Sequence, residues 1–313
     1  MAKCLVLGAN GFIGSHLVDE LAEAGHFVRC FDRYKSDKTT FTNDDDHNIE
    51  VFSGNFLNRS SLEIALEDIE YVFHLVSTTT PITSDNDPII DIETNIKMSI
   101  ELFKLCSEKK QIKRLIFAST GGAIYGNSLS DTPINEEVYP KPVSPYAIGK
   151  LTIENYLRYF KIKHDLNYLV LRISNPFGPR QNTFSGQGVI PIFLDKVLND
   201  KPLTVYGDGT MVRDYIYIKD VSNMISKVFD QDIENSDVYN IGSGKGRSVN
   251  DIVRALEEAI GEKIPVENME TPTTFVNKIV LDTSKFTSKF SLTPVYDFKK
   301  GIEETWQHLK NHQ

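Results

Sequence analysis

Lys3-Cys4-Leu5-Val6-Leu7-Gly8-Ala9-Asn10-Gly11-Phe12-Ile13-Gly14 stands at the head of the chain, and its reading decides the fold. Cys4 to Leu7 is a short apolar run that ends in glycine. Ser15 to Ala24 follows with Leu17, Val18 and Leu21 at helical spacing, so the glycine-rich loop joins a buried strand to a helix. Glycine at 8 lets the chain turn tightly, glycine at 11 leaves no side chain between backbone and a phosphate, and glycine at 14 lets helix and strand pack closely. The helix N-terminus then faces an anion. This is the outline of a dinucleotide site.

Working outward, His26 to Phe31 reads as the second strand, and Asp32 ends it. A carboxylate there can accept both ribose hydroxyls of NAD and repel the 2′-phosphate of NADP, while Arg33 beside it keeps NADP as the lesser option. Ile49 to Ser53 is a third strand, and Gly54-Asn55-Phe56 ends it at the level of an adenine, whose edge Asn55 can pair with unless it serves only the turn. Tyr34 to Asn48, with the acidic run Asp44-Asp45-Asp46, reads as a solvated loop or a frayed helix covering the adenosine side. A helix over Ser60 to Ala65 leads to the strand Tyr71 to Val76, in which His74 reads as a core histidine. That strand passes through Leu75 into Ser77-Thr78-Thr79-Thr80-Pro81, which lies over the cofactor in a doubly wound sheet. Ile89 to Lys109 reads as one long helix carrying a polar Asn95, able to hold loop backbone in place. Arg114 to Ala118 is a further strand that delivers the hydroxyls of Ser119 and Thr120 to its carboxyl end, where ligands bind in such sheets. The next helix opens at Ser144, and its Tyr146 and Lys150, four apart, share one face.

Length and composition agree with this. A chain of 313 residues buries a large core in one large or two fused domains, and a net charge of −9 argues against a nucleic-acid partner. Cys4, Cys30 and Cys106 have no metal-ligand spacing, so no metal is expected and the cysteines read as core residues in a reducing compartment. No leader pattern and no apolar run of membrane-spanning length is present, which gives a soluble, cytoplasmic expectation with no membrane partner.

Taken together, Gly8 to Gly14, Asp32, Asn95, Ser119 to Gly126, Tyr146 to Lys150, Leu171 to Gln181, Gly188 to Pro191, and Leu203 to Gly209 with Val212 to Tyr215 resemble the extended short-chain dehydrogenase/reductases, and in particular their nucleotide-sugar 4-epimerase branch. The resemblance runs over nearly the whole chain. It implies an α/β fold: a Rossmann doubly wound parallel sheet over 1–175 with a strand returning near 238–242, and a smaller C-terminal α/β substrate-binding lobe over 176–313. It implies NAD as cofactor, held by Gly8, Gly11, Phe12, Ile13, Gly14, Asp32, Asn55, Phe56, Leu75, Ser77, Asn95, Tyr146 and Lys150. Tyr146 would act as base, its pKa lowered by Lys150 and the positive nicotinamide, with Thr120 (or, second, Ser119) supplying the bridging hydroxyl. The nucleotide-sugar substrate, most simply a UDP-hexose, would meet Thr78, Thr120, Tyr146, Asn175, Val189, Thr204, Tyr206 and Arg213, with Asn175 and Arg213 on the diphosphate and Thr204 and Tyr206 flanking the base. The resemblance further implies a homodimer paired through the helices at Ile89 to Lys109 and Tyr146 to His164, and a setting in cell-surface polysaccharide supply.

Two departures stand out. Counted from Phe117 the bridging hydroxyl falls on Thr120, but counted back from Tyr125 it falls on Gly121. Near the carboxyl end, where the family places an arginine on the diphosphate, this chain has Glu270-Thr271-Pro272-Thr273-Thr274. The same Tyr and Lys would also serve a one-way 4-ketoreductase acting on a dTDP-linked 4-keto-6-deoxyhexose, which Asp32 disfavours if NADPH is needed. A 4,6-dehydratase fits less well, since Gly121-Gly122-Ala123 stands where that branch has Thr-Asp-Glu. A cofactor-sensing protein without chemistry is the reading from another class, and the intact Tyr146 and Lys150 oppose it.

Overall fold

The computed structural model describes residues 1–34, 39–42, 47–126, 132–183, 188–231, 236–270 and 277–311. Lys35 to Lys38, Asn43 with the acidic run Asp44-Asp45-Asp46, and Thr271 to Thr274 lie outside the described residues. In chain order the elements are β1 (Lys3–Leu7), α1 (Phe12–Glu23), β2 (Phe27–Asp32), β3 (Ile49–Ser53), α2 (Arg59–Ala65), β4 (Tyr71–His74), α3 (Pro81–Asn86), α4 (Pro88–Asp91), a π turn (Ile92–Ile96), α5 (Lys97–Glu108), β5 (Arg114–Thr120), α6 (Pro145–His164) and β6 (Tyr168–Ile173). Then come β7 (Asn175–Phe177), α7 (Val189–Leu198), β8 (Leu203–Tyr206), β9 (Val212–Tyr217), α8 (Ile218–Val228), β10 (Asp237–Ile241), β11 (Gly246–Ser248), α9 (Val249–Ile260), β12 (Val266–Met269), β13 (Lys278–Ile279), α10 (Ser284–Phe290) and α11 (Phe298–Asn311). The chain forms two compact units, one from Met1–Ile124, Pro142–Arg172 and Ser222–Tyr239, the other from Tyr125–Lys141, Ile173–Val221 and Asn240–Gln313.

The first unit is built on a seven-stranded sheet of order β10-β6-β5-β4-β1-β2-β3, in which β1 pairs parallel with β2 and β4, β2 with β3, and β4 with β5. This is the Rossmann-like α/β sheet that the opening stretch predicts. Its inner strands are covered on both faces, so they read as continuous apolar runs: Cys4 to Leu7 in β1 and all of β4 and β6 are buried. Leu5, Leu7, Phe31, Val72, Leu102, Phe103, Phe117, Leu157 and Phe160 share one core. Strand order reverses between β1 and β4, the switch point outside whose carboxyl ends ligands bind.

The expected helix over Ile89 to Lys109 is instead α4, a π turn and α5. Side chains that compete for helix carbonyls explain the widened turn: Thr94 Oγ1 donates to the Ile90 carbonyl at 2.6 Å and Ser99 Oγ to the Asn95 carbonyl at 2.6 Å. Helix α6 is capped by Ser144, has Pro145 in its first turn, and ends on Asp165 at φ 55 after Lys161, Lys163 and His164. Helix α8 was not expected from the sequence, although Val221, Met224, Ile225 and Val228 carry its period.

The second unit holds a four-stranded sheet in which β9 pairs antiparallel with β11 and parallel with β13 and β7, and a parallel pair of β8 with β12. Asp214 on β9 is fully buried and pins two other segments to that strand. It accepts from Ser243 N at 2.8 Å, Ser243 Oγ at 2.7 Å, Gly244 N at 3.1 Å and Leu281 N at 3.3 Å. The approach is so close that a Cβ on Gly242 would stand 2.5 Å from its Oδ2.

In the first unit a buried ion pair ties α6 to the sheet. Glu154 accepts from Arg172 Nη2 at 2.7 Å and Nε at 3.2 Å, and from Ser119 Oγ at 2.5 Å. Arg172→Met would strand the carboxylate without its cation, and the expected cost is about 3 kcal/mol. Urea titration of Arg172→Met beside the double replacement Arg172→Met/Glu154→Leu checks it: the single variant should lose more stability than the double, and equal losses would contradict the buried-pair account.

Candidate active site

The glycine loop is built by close approach. Gly8 sits at φ +90, and a Cβ on Gly14 would lie 2.0 Å from the Gly8 carbonyl oxygen, so α1 can enter only with glycine there. Gly8 N donates to the Phe31 carbonyl at 2.9 Å, and Asn10 N donates to Asp32 Oδ2 at 2.9 Å. The end of β2 is thereby fixed to the loop. Asp32 Oδ1 takes the Arg33 amide at 2.7 Å, and each oxygen retains a further lone pair for a ribose hydroxyl.

Beside it is a cavity of about 180 Å³ lined by Gly8, Gly11, Phe31, Asp32, Arg33, Gly54, Asn55, Phe56, Leu57, Leu75, Val76, Ser77 and Thr78. Eight residues read from the sequence as cofactor or substrate contacts (Gly8, Gly11, Asp32, Asn55, Phe56, Leu75, Ser77 and Thr78) thus meet at one wall. A helix start with glycine-cleared amides, a carboxylate at the next strand end and an apolar slot with Asn55 fit a dinucleotide. Phe12, Ile13 and Gly14 form the first turn of α1.

Asn95, inside the π turn, organises the loop after β4. Its Oδ1 accepts from Thr78 N at 2.9 Å and Thr78 Oγ1 at 3.0 Å, and its Nδ2 donates to Thr79 Oγ1 and Asp91 Oδ1, both at 2.8 Å. His74 is a core residue: its Nε2 donates to Ser99 Oγ at 2.8 Å, since that hydroxyl already gives its proton to the Asn95 carbonyl. Its ring is enclosed by Phe56 and Phe117, and burial pushes its pKa down to about 3.

At the end of β5 the two hydroxyls part. Ser119 is given to Glu154, whereas Thr120 is the last residue of β5 and its hydroxyl makes no such contact with that carboxylate. Tyr146 and Lys150 rise from α6, whose start is held by Tyr146 N donating to Ser84 Oγ at 3.1 Å. Lys150 Nζ donates to the Ala118 carbonyl at 2.9 Å and stands 5.8 Å from the Tyr146 ring centroid and 4.7 Å from that of Phe117. Burial pushes Tyr146 up to about 12, the charge of Asp91 adding to it, and lowers Lys150 to about 8 against the opposing charges of Asp91 and Glu154. At neutral pH this lysine keeps its charge and the phenol its proton. Asp91, Glu154, Arg172 and Ser84 were not singled out in the sequence; the spacing Lys150 to Glu154, one further turn along α6, was the available signal for Glu154.

In the second unit Asn175 on β7 donates from Nδ2 to the Asp214 carbonyl at 2.8 Å, which sets it beside Arg213 on β9. Arg213 Nη1 donates to the Val212 carbonyl at 2.9 Å, and burial lowers its pKa. Thr204 and Tyr206 lie on β8, where Thr204 bonds Lys196 of α7, and Val189 is the first residue of α7 after Gly188 at φ +86. The structure groups these four elements within one unit, but on two different sheets. A cavity of about 250 Å³ in this unit, lined by Tyr215, Tyr217, Arg247, Tyr296 and Phe298 among others, is not lined by Asn175, Val189, Thr204, Tyr206 or Arg213. Among the described residues no group of three or more His, Cys, Asp or Glu could hold a metal ion, and no helix is long and apolar enough to cross a membrane.

The model of the NAD dependent epimerase/dehydratase family matches residues 4–242. The chain belongs to that family. Within it, a solved UDP-glucose 4-epimerase of Thermotoga maritima with UDP-glucose is 34% identical, with 99% of each chain covered and a TM-score of 0.90. The Thermus thermophilus UDP-glucose 4-epimerase in complex with NAD is 30% identical, covers 99% of each chain and has a TM-score of 0.89. A dTDP-4-dehydro-6-deoxyglucose reductase of Escherichia coli is 30% identical over 312 residues, 98% of this chain and 97% of that protein. As a member of an NAD-dependent family, the chain works with the cofactor that its glycine loop and Asp32 fit.

A neutral buried histidine has a stability signature. His74 keeps its proton off down to about pH 3 in the folded protein, whereas the unfolded chain binds one near its ordinary value. The unfolded state therefore holds more protons between those limits. Stability should fall as pH drops below about 6.5, by roughly 1.4 kcal/mol per unit from this residue. Urea midpoints at pH 6.5 and 5.5 should show that slope in the wild type and its loss in His74→Gln; an equal slope in both would refute it.

Proposed function

We propose that this chain is a UDP-hexose 4-epimerase that oxidises the C4 hydroxyl of its substrate reversibly and returns the hydride to the other face. The observation that carries the reading is the Tyr146–Lys150 pair on α6, with Lys150 fixed to the Ala118 carbonyl at the hydroxyl-bearing end of β5. NAD, when bound, supplies the hydride acceptor and donor. Tyr146 Oη, as the phenolate, removes the C4 hydroxyl proton and gives it back after the 4-keto sugar has turned; Thr120 Oγ1 bridges phenol and sugar oxygen. The fixed ammonium of Lys150 stabilises the phenolate, whose formation burial alone would oppose. Asn175 and Arg213 hold the diphosphate through amide and guanidinium donors, and Val189, Thr204 and Tyr206 line the nucleotide. Redox neutrality follows, so the cofactor stays with the protein. The UDP-glucose bound to the Thermotoga maritima relative supports the choice of base and sugar.

The second reading is a 4-ketoreductase acting on a dTDP-linked 4-keto-6-deoxyhexose, favoured by the full-length likeness to the Escherichia coli reductase. We also read the protein as a cytoplasmic homodimer. Three free, buried thiols suit a reducing compartment. An apolar stripe lies exposed on α6, with Ile148, Tyr156, Tyr159 and Ile162, and Ile89 and Ile92 are exposed on the helical segment that packs against α6. Such a stripe fits a two-fold helix contact with a second copy.

Incubation with UDP-glucose, UDP-N-acetylglucosamine or UDP-glucuronate and no added nucleotide, followed by proton NMR of the C4 epimers, tests the activity. Interconversion that falls about a thousandfold in Tyr146→Phe is expected. Stoichiometric NAD(P)H consumption with a 4-keto-6-deoxy sugar, and no epimer formed, would instead establish the reductase. For the dimer, light scattering should give twice the 35.4 kDa chain mass, and Ile148→Lys should reduce it to one chain; a monomeric wild type would end the dimer reading.

A further inference from the structure

Asp91, the last residue of α4, is almost wholly buried. Its Oδ1 accepts the Thr79 hydroxyl at 2.5 Å and the Asn95 side-chain amide at 2.8 Å. Its Oδ2 rests on the backbone of α6, because a Cβ built on Gly149 would stand only 1.9 Å from that oxygen. Gly149 immediately precedes Lys150 and lies three residues after Tyr146. A carboxylate has therefore been brought against the helix that carries the proposed acid–base pair, at the level of both members, and glycine has been placed there to admit it. Burial of a carboxylate is costly unless its charge is answered. The two donors it meets, Thr79 and Asn95, are neutral.

The charged and titratable groups around this point divide clearly. On α6 are Tyr146, Lys150 and Glu154; on β4 is His74, kept neutral by burial; on β6 is Arg172. Glu154 is already committed to Arg172 and the Ser119 hydroxyl. The negative charge of Asp91 thus acts chiefly on Lys150 and Tyr146.

We propose that Asp91 is a positioning residue for the reaction: seated on Gly149, its carboxylate supplies the negative charge that answers the Lys150 ammonium beside Tyr146. The inference rests on the reading of Tyr146 and Lys150 as the acid–base pair. The direction of both shifts agrees, since the Asp91 charge raises the pKa of the lysine against burial and raises that of the tyrosine along with it. Removing the charge therefore lowers both, whichever group governs which limb of a pH–rate profile. A residue with only a packing role would change the height of such a profile and leave its limbs in place.

The test is Asp91→Asn, which keeps the shape and a hydrogen-bonding oxygen. The Lys150 Cε resonance is followed by NMR in isotope-labelled protein and assigned by its absence in Lys150→Met. Its titration midpoint, expected at about 8 in the wild type, should fall by about half a pH unit or more in Asp91→Asn. Both limbs of the pH–rate profile should move to lower pH together. An unmoved Lys150 midpoint would overturn the proposal. A moved midpoint without turnover of any nucleotide sugar would leave the Asp91 link standing and sink the epimerase reading; retained turnover with an unmoved midpoint and profile would do the reverse. If Asp91→Asn does not fold, Gly149→Ala takes its place: the added methyl displaces the carboxylate, and the Lys150 midpoint should again fall, with no shift counting against the proposal.

Discussion

The candidate site depends on how one helix, α6, is held against the sheet by buried polar groups. Lys150 reaches the Ala118 carbonyl, Glu154 takes Arg172 and Ser119, and Asp91 lies on Gly149. Each of these groups would be expensive to bury alone, and each is affordable only in one docking of the helix. The cost of leaving any of them unpaired makes the position of Tyr146 and Lys150 a property of the fold rather than of side-chain flexibility. Apolar packing by Ile153, Leu157 and Phe160 supplies the driving force, and the polar contacts fix the register.

The same segments explain why Ser119 and Thr120, adjacent and chemically alike, have different prospects. Successive residues of a strand point to opposite faces. Ser119 faces Glu154 and is consumed there, which leaves Thr120 for the proposed hydroxyl role. The π turn is a second local irregularity with a purpose. It places Asn95 where its amide can hold the Thr78 backbone with one end and Thr79 and Asp91 with the other. The loop after β4, which borders the cavity beside Gly8 and Asp32, is thus coupled to the carboxylate beneath the proposed acid–base pair.

In the second unit Asp214 does comparable work, gathering the 242–244 turn and the end of β13 around one buried carboxylate whose pKa burial raises. It follows Arg213 directly. The guanidinium proposed for the diphosphate therefore projects from a strand anchored at the next residue, which limits how far it can drift.

By itself the sequence determined the local features: the glycine turn, the carboxylate ending β2, and Tyr146 with Lys150 on one helical face. These depend on backbone sterics and on periodicity over a few residues, so they are written in consecutive positions. It also carried the apolar runs of the parallel sheet. It did not show the short strands and helices of the second unit such as β12 and α10, whose apolar patterns are too brief to separate from loops. Only the tertiary structure decided which polar groups meet. Asp91 and Gly149, Ser119 and Glu154, Glu154 and Arg172, Asp214 and Ser243 come from separate stretches of chain, and no local pattern pairs them. Their pairing is settled by the penalty on uncompensated buried charge, which acts only once the chain has folded and water has been excluded.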